Sequence, residues 1–212
     1  MIKKSIYPKT ERVKVEQSNV CEITEKLDGS NLCIFKKNDI LYLATRNNII
    51  SITELLDEKV KSMLYKGLYG WLEEHAQELV QEIRNDSCIC GEWLGMGKLK
   101  YDVGEFDKRF YMFAKANVND DFELYNIYYY HELFKYPFES LEIPNFIGVV
   151  PVAYELGIVP DKEKLDELYA KYYSKVKRNV EGFVVNYSNK ITKYVRMKNG
   201  KLQEHTDNGK GE

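Results

Sequence analysis

Two long segments of the chain repeat apolar residues with the period of an amphipathic helix. They run from Tyr69 to Arg84 and from Asp161 to Val176. Asn85-Asp86 ends the first segment and Pro160 precedes the second, as is typical of helix boundaries. The remaining apolar segments are short and lie between turn residues, which is typical of strands. Because the chain has no internal repeat and no linker-like composition, the sequence predicts a single α+β domain.

The predicted strands are short, and several are separated by recognisable turns. Lys37-Asn38-Asp39 is expected to be the turn of a hairpin, because short polar residues at this spacing favour tight turns. A second hairpin is expected at the end of the domain, around Ser188-Asn189-Lys190. The predicted strands are Thr24 to Phe35, Ile40 to Thr45, Cys88 to Trp93, Phe110 to Ala116, Val149 to Tyr154, Gly182 to Tyr187 and Ile191 to Met197.

Three further local patterns bear on the fold. Ser51 followed by Glu54 has the spacing of a capping box, which predicts that a helix begins there. Residues 126–134 could form a short helix. The polar residues 204–212 are expected to fray, which leaves residues 1–203 as the folded domain.

Composition and charge exclude some classes of protein. The 31 basic and 33 acidic residues give a net charge of −2, unlike a strongly basic nucleic-acid binder. A nucleic-acid partner would therefore need a local basic groove. No segment approaches the ~20 apolar residues of a membrane span, and the first five residues lack the apolar stretch of a signal peptide. We therefore expect a cytoplasmic protein without a membrane partner, and a monomer.

The chain has four cysteines, Cys21, Cys33, Cys88 and Cys90. They are too few and too irregularly spaced for a disulfide framework. Cys88-Ile89-Cys90 could be half of a metal site, but no second pair accompanies it. Buried reduced thiols are therefore the preferred interpretation.

The stretch from Glu25 to Asn31, E-K-L-D-G-S-N, carries the most chemical information. At the end of a strand, Lys26 and Asp28 share one face, and Gly29 permits a tight turn beside them. A lysine becomes a nucleophile only when its ammonium group loses a proton, which desolvation or a neighbouring cation favours. Taken alone, the stretch favours a hairpin corner that carries a solvated lysine, because the K-x-D-G pattern is short.

Lys26-Leu27-Asp28-Gly29 resembles motif I of the covalent nucleotidyltransferases, which comprise DNA ligases, RNA ligases and mRNA capping enzymes. Five other stretches resemble further motifs of that superfamily in the same order, so the resemblance covers residues 24–198. Each match is weak by itself, and the order makes the set specific. The five stretches are Ala44-Thr45-Arg46-Asn47-Asn48, Cys90-Gly91-Glu92-Trp93-Leu94-Gly95 (motif III), Phe110-Tyr111-Met112-Phe113 (the aromatic motif), Glu181-Gly182-Phe183-Val184-Val185 (motif IV) and Lys193-Tyr194-Val195-Arg196-Met197-Lys198 (motif V).

Details of these motifs resemble the RNA ligase 2-like branch of the RNA ligases more than the DNA ligases. They are Glu25 before the lysine, Asn31 after the glycine, the G-E-W-L-G form of motif III and the opening Tyr7-Pro8-Lys9. The resemblance implies a nucleotidyltransferase domain of the ATP-grasp-like ligase type, with antiparallel sheets flanked by helices. It also implies an ATP-dependent enzyme that uses Mg²⁺ or Mn²⁺. Its partners would be RNA ends or a nicked RNA duplex.

By the same resemblance, Lys26 attacks the α-phosphate of ATP and forms lysyl-AMP. AMP then passes to an RNA 5′-phosphate, and a 3′-OH is joined to that end with release of AMP. Glu181 would bind the divalent cation or hold the lysine, and Lys198 would be the third catalytic residue. The implied nucleotide-binding residues are Glu25, Asp28, Gly29, Asn31, Arg46, Glu92, Phe113, Lys193, Arg196 and Lys198.

The resemblance gives several of these residues a specific contact. Glu25 would border the adenine pocket through its backbone, and Asn31 and Arg46 would contact the ribose or the phosphates. Glu92 would accept a hydrogen bond from a ribose hydroxyl. Phe113 would stack on the adenine. Phe110 and Tyr111 compete with it for this contact, and Phe113 could instead belong only to the core. The family usually has an aspartate after this phenylalanine, and Ala114 stands there instead, which weakens the match locally.

Motif V leaves two alternatives open for the phosphate contacts. Residue type favours Lys193 and Lys198, because RNA ligases often present two lysines there. In a regular strand, however, Arg196 and Lys198 share one face while Lys193 lies on the other. The sequence does not decide between these pairs.

Two other functions compete with RNA ligation. One is an mRNA capping-type guanylyltransferase that uses GTP, and the other is a non-catalytic nucleic-acid-binding domain of the same fold. Lys26, Glu92 and Glu181 are all present, which favours an enzyme. Many ligases carry a further C-terminal domain, and this chain ends 14 residues after Lys198. We therefore expect sealing of a pre-adenylylated end to be stronger than full joining.

Overall fold

The computed structural model describes residues 1–13, 21–101, 104–129, 143–187, 190–198 and 201–202. The chain divides into two compact units. Unit 1 contains Met1–Pro8 and Gly29–Val149, and unit 2 contains Lys9–Asp28 and Val150–Glu212. Each unit combines a β-sheet with a long helix, so the fold is α+β with mainly antiparallel sheets, as the sequence predicts.

Strands outnumber helices in the described residues. The helices are α1 (Glu58–Lys61), α2 (Leu68–Glu82) and α3 (Lys162–Val176), with a 3₁₀ helix at Ile52–Leu56. None of these helices is long and apolar enough to span a membrane. The strands are β1 (Glu11–Arg12), β2 (Cys21–Lys26), β3 (Ser30–Lys37), β4 (Ile40–Ala44), β5 (Ile49–Ser51), β6 (Ser87–Trp93), β7 (Phe110–Val118), β8 (Leu124–Tyr129), β9 (Ile147–Val149), β10 (Val152–Leu156), β11 (Gly182–Tyr187), β12 (Lys190–Val195), β13 (Met197–Lys198) and β14 (Lys201–Leu202).

Unit 1 is built on a sheet with the strand order β5-β4-β3-β6-β7-β8, in which neighbours are antiparallel, and β9 pairs in parallel with β7. The predicted hairpin turn between β3 and β4 is confirmed, and Asn38 and Asp39 both have positive φ angles there. That backbone conformation suits short polar side chains. The predicted capping box of Ser51 and Glu54 is also confirmed, at the start of the 3₁₀ helix.

The sheet of unit 1 is buried on both faces. Helix α2 covers one face with the apolar side chains Leu68, Trp71, Leu72 and Leu79. Because strand side chains alternate between faces, the other face carries a separate apolar cluster, which we call the second core. Its buried members include Cys33, Phe35, Cys88, Cys90, Ala114 and Ala116.

Unit 2 is built on a sheet with the strand order β1-β12-β11-β2-β10, in which β1 is parallel to β12 and the other pairs are antiparallel. Helix α3 packs on this sheet through Leu165, Leu168, Tyr169 and Tyr172. The helix begins where the sequence predicts, because the side chain of Asp161 accepts a hydrogen bond from the Lys164 backbone N–H.

Some of the predicted strands are divided in the structure. The strand predicted from Thr24 to Phe35 is two strands, because the chain leaves β2 after Lys26 and enters β3 at Ser30. The strand predicted from Val149 to Tyr154 is likewise divided between β9 and β10. Both breaks coincide with points at which the chain passes from one unit to the other, after Asp28 and after Val149. At the first of them only glycine fits, since a Cβ atom on Gly29 would overlap the carbonyl oxygen of Trp93.

The short helix predicted for residues 126–134 is wrong where the structure describes it. Residues 126–129 belong to β8, in which Tyr128 pairs with Lys115 and Tyr129 pairs with Ala114 of β7. Tyrosine favours such half-buried strand positions, and pairing with β7 prevails over the local helical pattern. Residues 130–134 lie outside the described part of the chain.

Candidate functional site

Lys26 and Glu181 form an ion pair in unit 2. Lys26 is the last residue of β2, and its Nζ donates a hydrogen bond of 2.6 Å to Oε2 of Glu181. Glu181 directly precedes β11, and the next residue, Gly182, pairs with Lys26 in the β2–β11 ladder. The two side chains are 25% and 18% exposed, respectively. The ladder therefore holds a lysine amine beside a mostly buried carboxylate.

The environment of Glu181 makes its carboxylate more basic than usual. Burial raises the pKa of Glu181 above its ordinary value, and Asp28 adds to this, while Lys26 and Lys193 act in the opposite direction. A carboxylate with a raised pKa, in hydrogen-bond contact with an ammonium group, is suited to accept its proton. This arrangement can supply the deprotonated amine that a lysine nucleophile requires.

The raised pKa of Glu181 predicts a dependence of stability on pH. A carboxyl group that binds its proton more tightly in the folded state stabilises the fold below its unfolded pKa of about 4.5, and this contribution is lost as the pH rises through the folded value. We expect the free energy of unfolding of wild type, relative to that of Glu181→Gln, to fall as the pH rises from below 4.5 towards neutrality. Urea unfolding of both proteins across that pH range measures this difference in the free energy of unfolding. A difference that rises with pH would contradict the raised pKa of Glu181.

Lys193 lies close to this pair and belongs to a group of cations. Burial lowers the pKa of Lys193, and the nearby positive charges of Lys26, Arg12 and Lys9 lower it further. Arg12 on β1 pairs with Lys193 on β12 in a parallel register. Several like charges held together favour a polyanionic ligand. Sequence reasoning missed Arg12, because a two-residue strand carries no periodic signal.

Arg196 is engaged with helix α3. Its Nη1 donates a hydrogen bond of 2.8 Å to Asp166, and the hydroxyl group of Tyr194 donates to the same carboxylate oxygen. The guanidinium group also lies over the ring of Tyr169, at 5.7 Å from the ring centroid. Asp166 is a partner that the sequence analysis did not identify.

The strand is irregular at this point, so strand alternation no longer applies to the end of motif V. The backbone N–H groups of Arg196 and Met197 both donate to the carbonyl oxygen of Glu181. Two successive donors on one acceptor form a bulge, beyond which the alternation of faces does not continue in register. Lys198 follows in β13, where its backbone pairs with Lys201. Its position relative to Lys193 therefore cannot be inferred from alternation.

Glu25 is held in the interior of unit 2. Its side chain is 0% exposed and accepts hydrogen bonds from Nη1 and Nη2 of Arg178, at 2.5 and 2.6 Å, and from the hydroxyl group of Tyr172, at 2.9 Å. The backbone N–H of Glu25 donates to the carbonyl oxygen of Pro151. Nothing local in the sequence links Arg178 or Tyr172 to Glu25, so neither contact was predicted.

Unit 1 brings three of the predicted nucleotide-binding residues together. Asn31 on β3 and Glu92 on β6 lie directly opposite each other in the ladder. The hydroxyl group of Tyr65 donates to the carbonyl oxygen of Asn31 at 2.9 Å and accepts from the backbone N–H of Arg46 at 3.3 Å. Arg46 is exposed, whereas Asn31 and Glu92 are half-buried. Tyr65 is thus a connecting residue that sequence reasoning missed.

Phe113 lies on the second core of unit 1 and is half-buried. The β6–β7 pairing passes from Cys90–Ala114 to Gly91–Met112, so Phe113 is the unpaired residue of a bulge. Its ring packs edge to face against Tyr7, with 5.2 Å between the ring centroids. The ring therefore packs against the core while part of the side chain stays accessible, and its stacking on a base stays a prediction.

All four cysteines are buried and free. The sulfur atoms of Cys33, Cys88 and Cys90 lie within 4.8 Å of one another, so β3 supplies a third thiol that the sequence pattern did not reveal. The sulfurs of Cys33 and Cys90 are 2.8 Å apart. All three side chains belong to the buried second core, which agrees with the expected buried thiols.

Several solved structures with a similar fold are RNA ligases. A variant of Naegleria gruberi RNA ligase without ligand has a TM-score of 0.53 and 16% identity, with 91% of this chain and 58% of that chain covered. Another variant of that enzyme, solved with AMP and Mn, has a TM-score of 0.54 and 16% identity, with 89% and 57% covered. An archaeal ATP-dependent RNA ligase has a TM-score of 0.52 and 17% identity, with 90% and 48% covered.

These comparisons establish the fold, and the chain spans only about half to three-fifths of the length of these structures. A search of the curated proteins found no match. Family membership follows from the sequence itself, since residues 19–198 match the RNA ligase family. That match contains every predicted motif from Lys26 to Lys198. The chain belongs to the RNA ligase family.

Proposed function

We propose that this chain is an ATP-dependent RNA ligase catalytic domain that carries AMP covalently on Lys26. The observation that carries the proposal is the contact between the Lys26 amine and the Glu181 carboxylate, beside the cationic Lys193, in a member of the RNA ligase family. A lysine amine, a basic carboxylate and a local positive field are what phosphoramidate formation requires.

The first step forms a bond between Nζ of Lys26 and the α-phosphorus of ATP. The bond from that phosphorus to the bridging oxygen breaks, and pyrophosphate leaves with the electron pair. Glu181 accepts the proton that Nζ loses, directly or through water. AMP then passes from Lys26 to an RNA 5′-phosphate, and the RNA 3′-OH displaces AMP from that end.

Negative charge grows on the phosphates as pyrophosphate leaves, and fixed cations stabilise it. Lys193 is the best-placed described cation for this role, because it lies near both Lys26 and Glu181. Lys198 is also proposed for this role, because it lies in the basic motif V of the family. Arg196 is a weaker candidate, because Asp166 already holds its guanidinium group.

The residues of unit 1 are proposed to bind the nucleoside. Glu92 and Asn31 form a polar cross-strand pair suited to ribose hydroxyls, and Arg46 adds a positive charge for phosphate. Phe113 offers an aromatic surface for the base. Gly29 keeps the backbone close to Trp93, which leaves no space for a side chain there.

A divalent cation fits the donor set of unit 2. Mg²⁺ and Mn²⁺ prefer oxygen ligands, and Mg²⁺ usually takes one or two carboxylates together with substrate phosphates. Glu181 and Asp28 supply carboxylates that lie close enough to interact. When bound, the ion would neutralise phosphate charge and orient the leaving group.

The test is the gain of one adenylyl group. Purified protein incubated with ATP and Mg²⁺ is expected to gain the mass of one AMP moiety, which peptide mapping places on Lys26. Addition of RNA with a 5′-phosphate nick should then discharge the AMP. A gain from GTP alone would favour a capping-type guanylyltransferase. Absence of any nucleotide on protein first shown by intact mass to be unmodified would contradict the proposal and favour a binding domain.

A further inference from the structure

We propose that Arg178, assisted by Tyr172, is a positioning residue that keeps the Lys26 amine on the Glu181 side of β2. The two residues act through Glu25, which directly precedes Lys26 in the chain. This inference rests on the proposed function, because it concerns the step in which Lys26 takes AMP from ATP.

Three donor groups hold the carboxylate of Glu25. Both oxygens of the carboxylate face the two terminal nitrogens of Arg178, and the Tyr172 hydroxyl group adds a third donor. The side chain of Glu25 is 0% exposed and that of Arg178 is 9% exposed. A bidentate pair of this kind fixes direction as well as distance. Glu25 therefore has one orientation in the folded unit.

The position of Arg178 follows from the end of helix α3. Tyr172 lies on the buried side of that helix, and Lys177 caps the helix in the left-handed conformation with a φ of 54°. This cap ends the helix and turns the chain immediately before Arg178. The helix and its cap thus place Tyr172 and Arg178 on the same side of Glu25, where both donate hydrogen bonds to its carboxylate.

The orientation of Glu25 determines the orientation of Lys26. Consecutive residues of a strand point to opposite faces, so a carboxylate fixed towards α3 places the next side chain on the other face. In the ladder, Glu25 pairs with Phe183 and Lys26 pairs with Gly182, next to Glu181. A slip of one residue would exchange the faces of the two side chains. The buried pair opposes that slip, because it would have to break.

Stability alone gives no clear reason for this network. A buried ion pair is often no more stabilising than apolar residues of similar volume. In several proteins such a pair instead favours one packing arrangement over the alternatives. Glu25 lies beside the apolar core of unit 2, which a leucine or methionine could extend. A charged pair at the residue before the nucleophile is consistent with a role in orientation.

The experiment separates nucleotide transfer to Lys26 from the later joining step. Joining of a pre-adenylylated RNA end to a 3′-OH does not use Lys26 as a nucleophile, whereas self-adenylylation does. We would measure both rates, together with thermal unfolding, in wild type, Arg178→Met, Arg178→Lys and Tyr172→Phe. Lys175→Met removes an exposed positive charge from the same helix and serves as the matched control.

We expect Arg178→Met to slow self-adenylylation at saturating ATP by about 100-fold, the scale of a misplacement of about 1 Å. Joining of the pre-adenylylated end should stay within about threefold of wild type, and the KM for ATP should change little. Arg178→Lys and Tyr172→Phe should lie between Arg178→Met and wild type, because each keeps part of the network. Lys175→Met should match wild type in both rates.

The double variant Glu25→Gln with Arg178→Met provides the second measurement. If Arg178 acts through Glu25, the double variant should adenylylate no more slowly than the poorer single variant. Equal losses in both steps, or no loss in either, would overturn the positioning role. If wild type takes up no AMP at all, the proposed function fails and the inference fails with it.

Discussion

A Lys26→Arg variant is expected to fold like wild type and to gain no adenylyl group from ATP. Arginine can keep the ion pair with Glu181, so the positive charge beside the carboxylate is retained. The guanidinium group stays protonated at all accessible pH values and cannot supply the electron pair for attack on phosphorus. The change therefore removes the proposed nucleophile while it preserves the positive charge.

The measurement is intact mass after incubation with ATP, compared with joining of a pre-adenylylated RNA end. Wild type should gain AMP and join the end, whereas Lys26→Arg should only join it. Lys37→Arg is the matched control, because Lys37 also pairs with acidic side chains, Asp86 and Asp120, away from motif I. Adenylylation of Lys26→Arg at the wild-type rate would show that another residue carries the AMP.

A Gly182→Ala variant is expected to lose about 3 kcal/mol of folding free energy or more, as overpacked sites that cannot relax do. The new Cβ atom would overlap the carbonyl oxygen of Tyr194 and lie 2.9 Å from Cα of Val195. Both atoms belong to the backbone of β12, which pairs with β11 along its length. No side-chain rotation can relieve the overlap, so the two strands must separate.

Urea unfolding measures this effect, and the chain offers a sensitive control. Gly70 lies in helix α2, and a Cβ atom added there would meet no atom of the surrounding structure within 4 Å. Gly70→Ala should therefore leave stability unchanged or raise it by up to about 1 kcal/mol, through helix propensity. If Gly182→Ala and wild type unfold at the same urea concentration, β11 and β12 do not approach each other this closely at Gly182.

The Gly182→Ala change should also disturb the contact between Lys26 and Glu181. Glu181 precedes Gly182, and its carbonyl oxygen accepts the two hydrogen bonds that form the bulge at Arg196 and Met197. Separation of β11 from β12 would move the carboxylate away from Lys26. The glycine of motif IV is thus explained by close packing between two strands.

Several features of this protein are set by residues close together in the sequence. Helix α3 follows from its apolar period and from the cap at Asp161, and the β3–β4 hairpin follows from Asn38 and Asp39. Periodicity, capping and turn chemistry each depend on a few neighbouring residues, so they can be inferred locally. The order of the motifs around Lys26 and Glu181 likewise sufficed to indicate the family.

Other features were decided by strand pairing between distant segments. Residues 126–129 form a strand because β7 lies beside them, and Arg196 contacts Asp166 next to a bulge that no local pattern announces. Glu25 meets Arg178 across 153 residues of sequence. Such contacts depend on register and on which strands are neighbours, and these arise only when the whole sheet forms. The sequence alone predicted which residues are candidates for the chemistry, and the tertiary structure decided which side chains contact them.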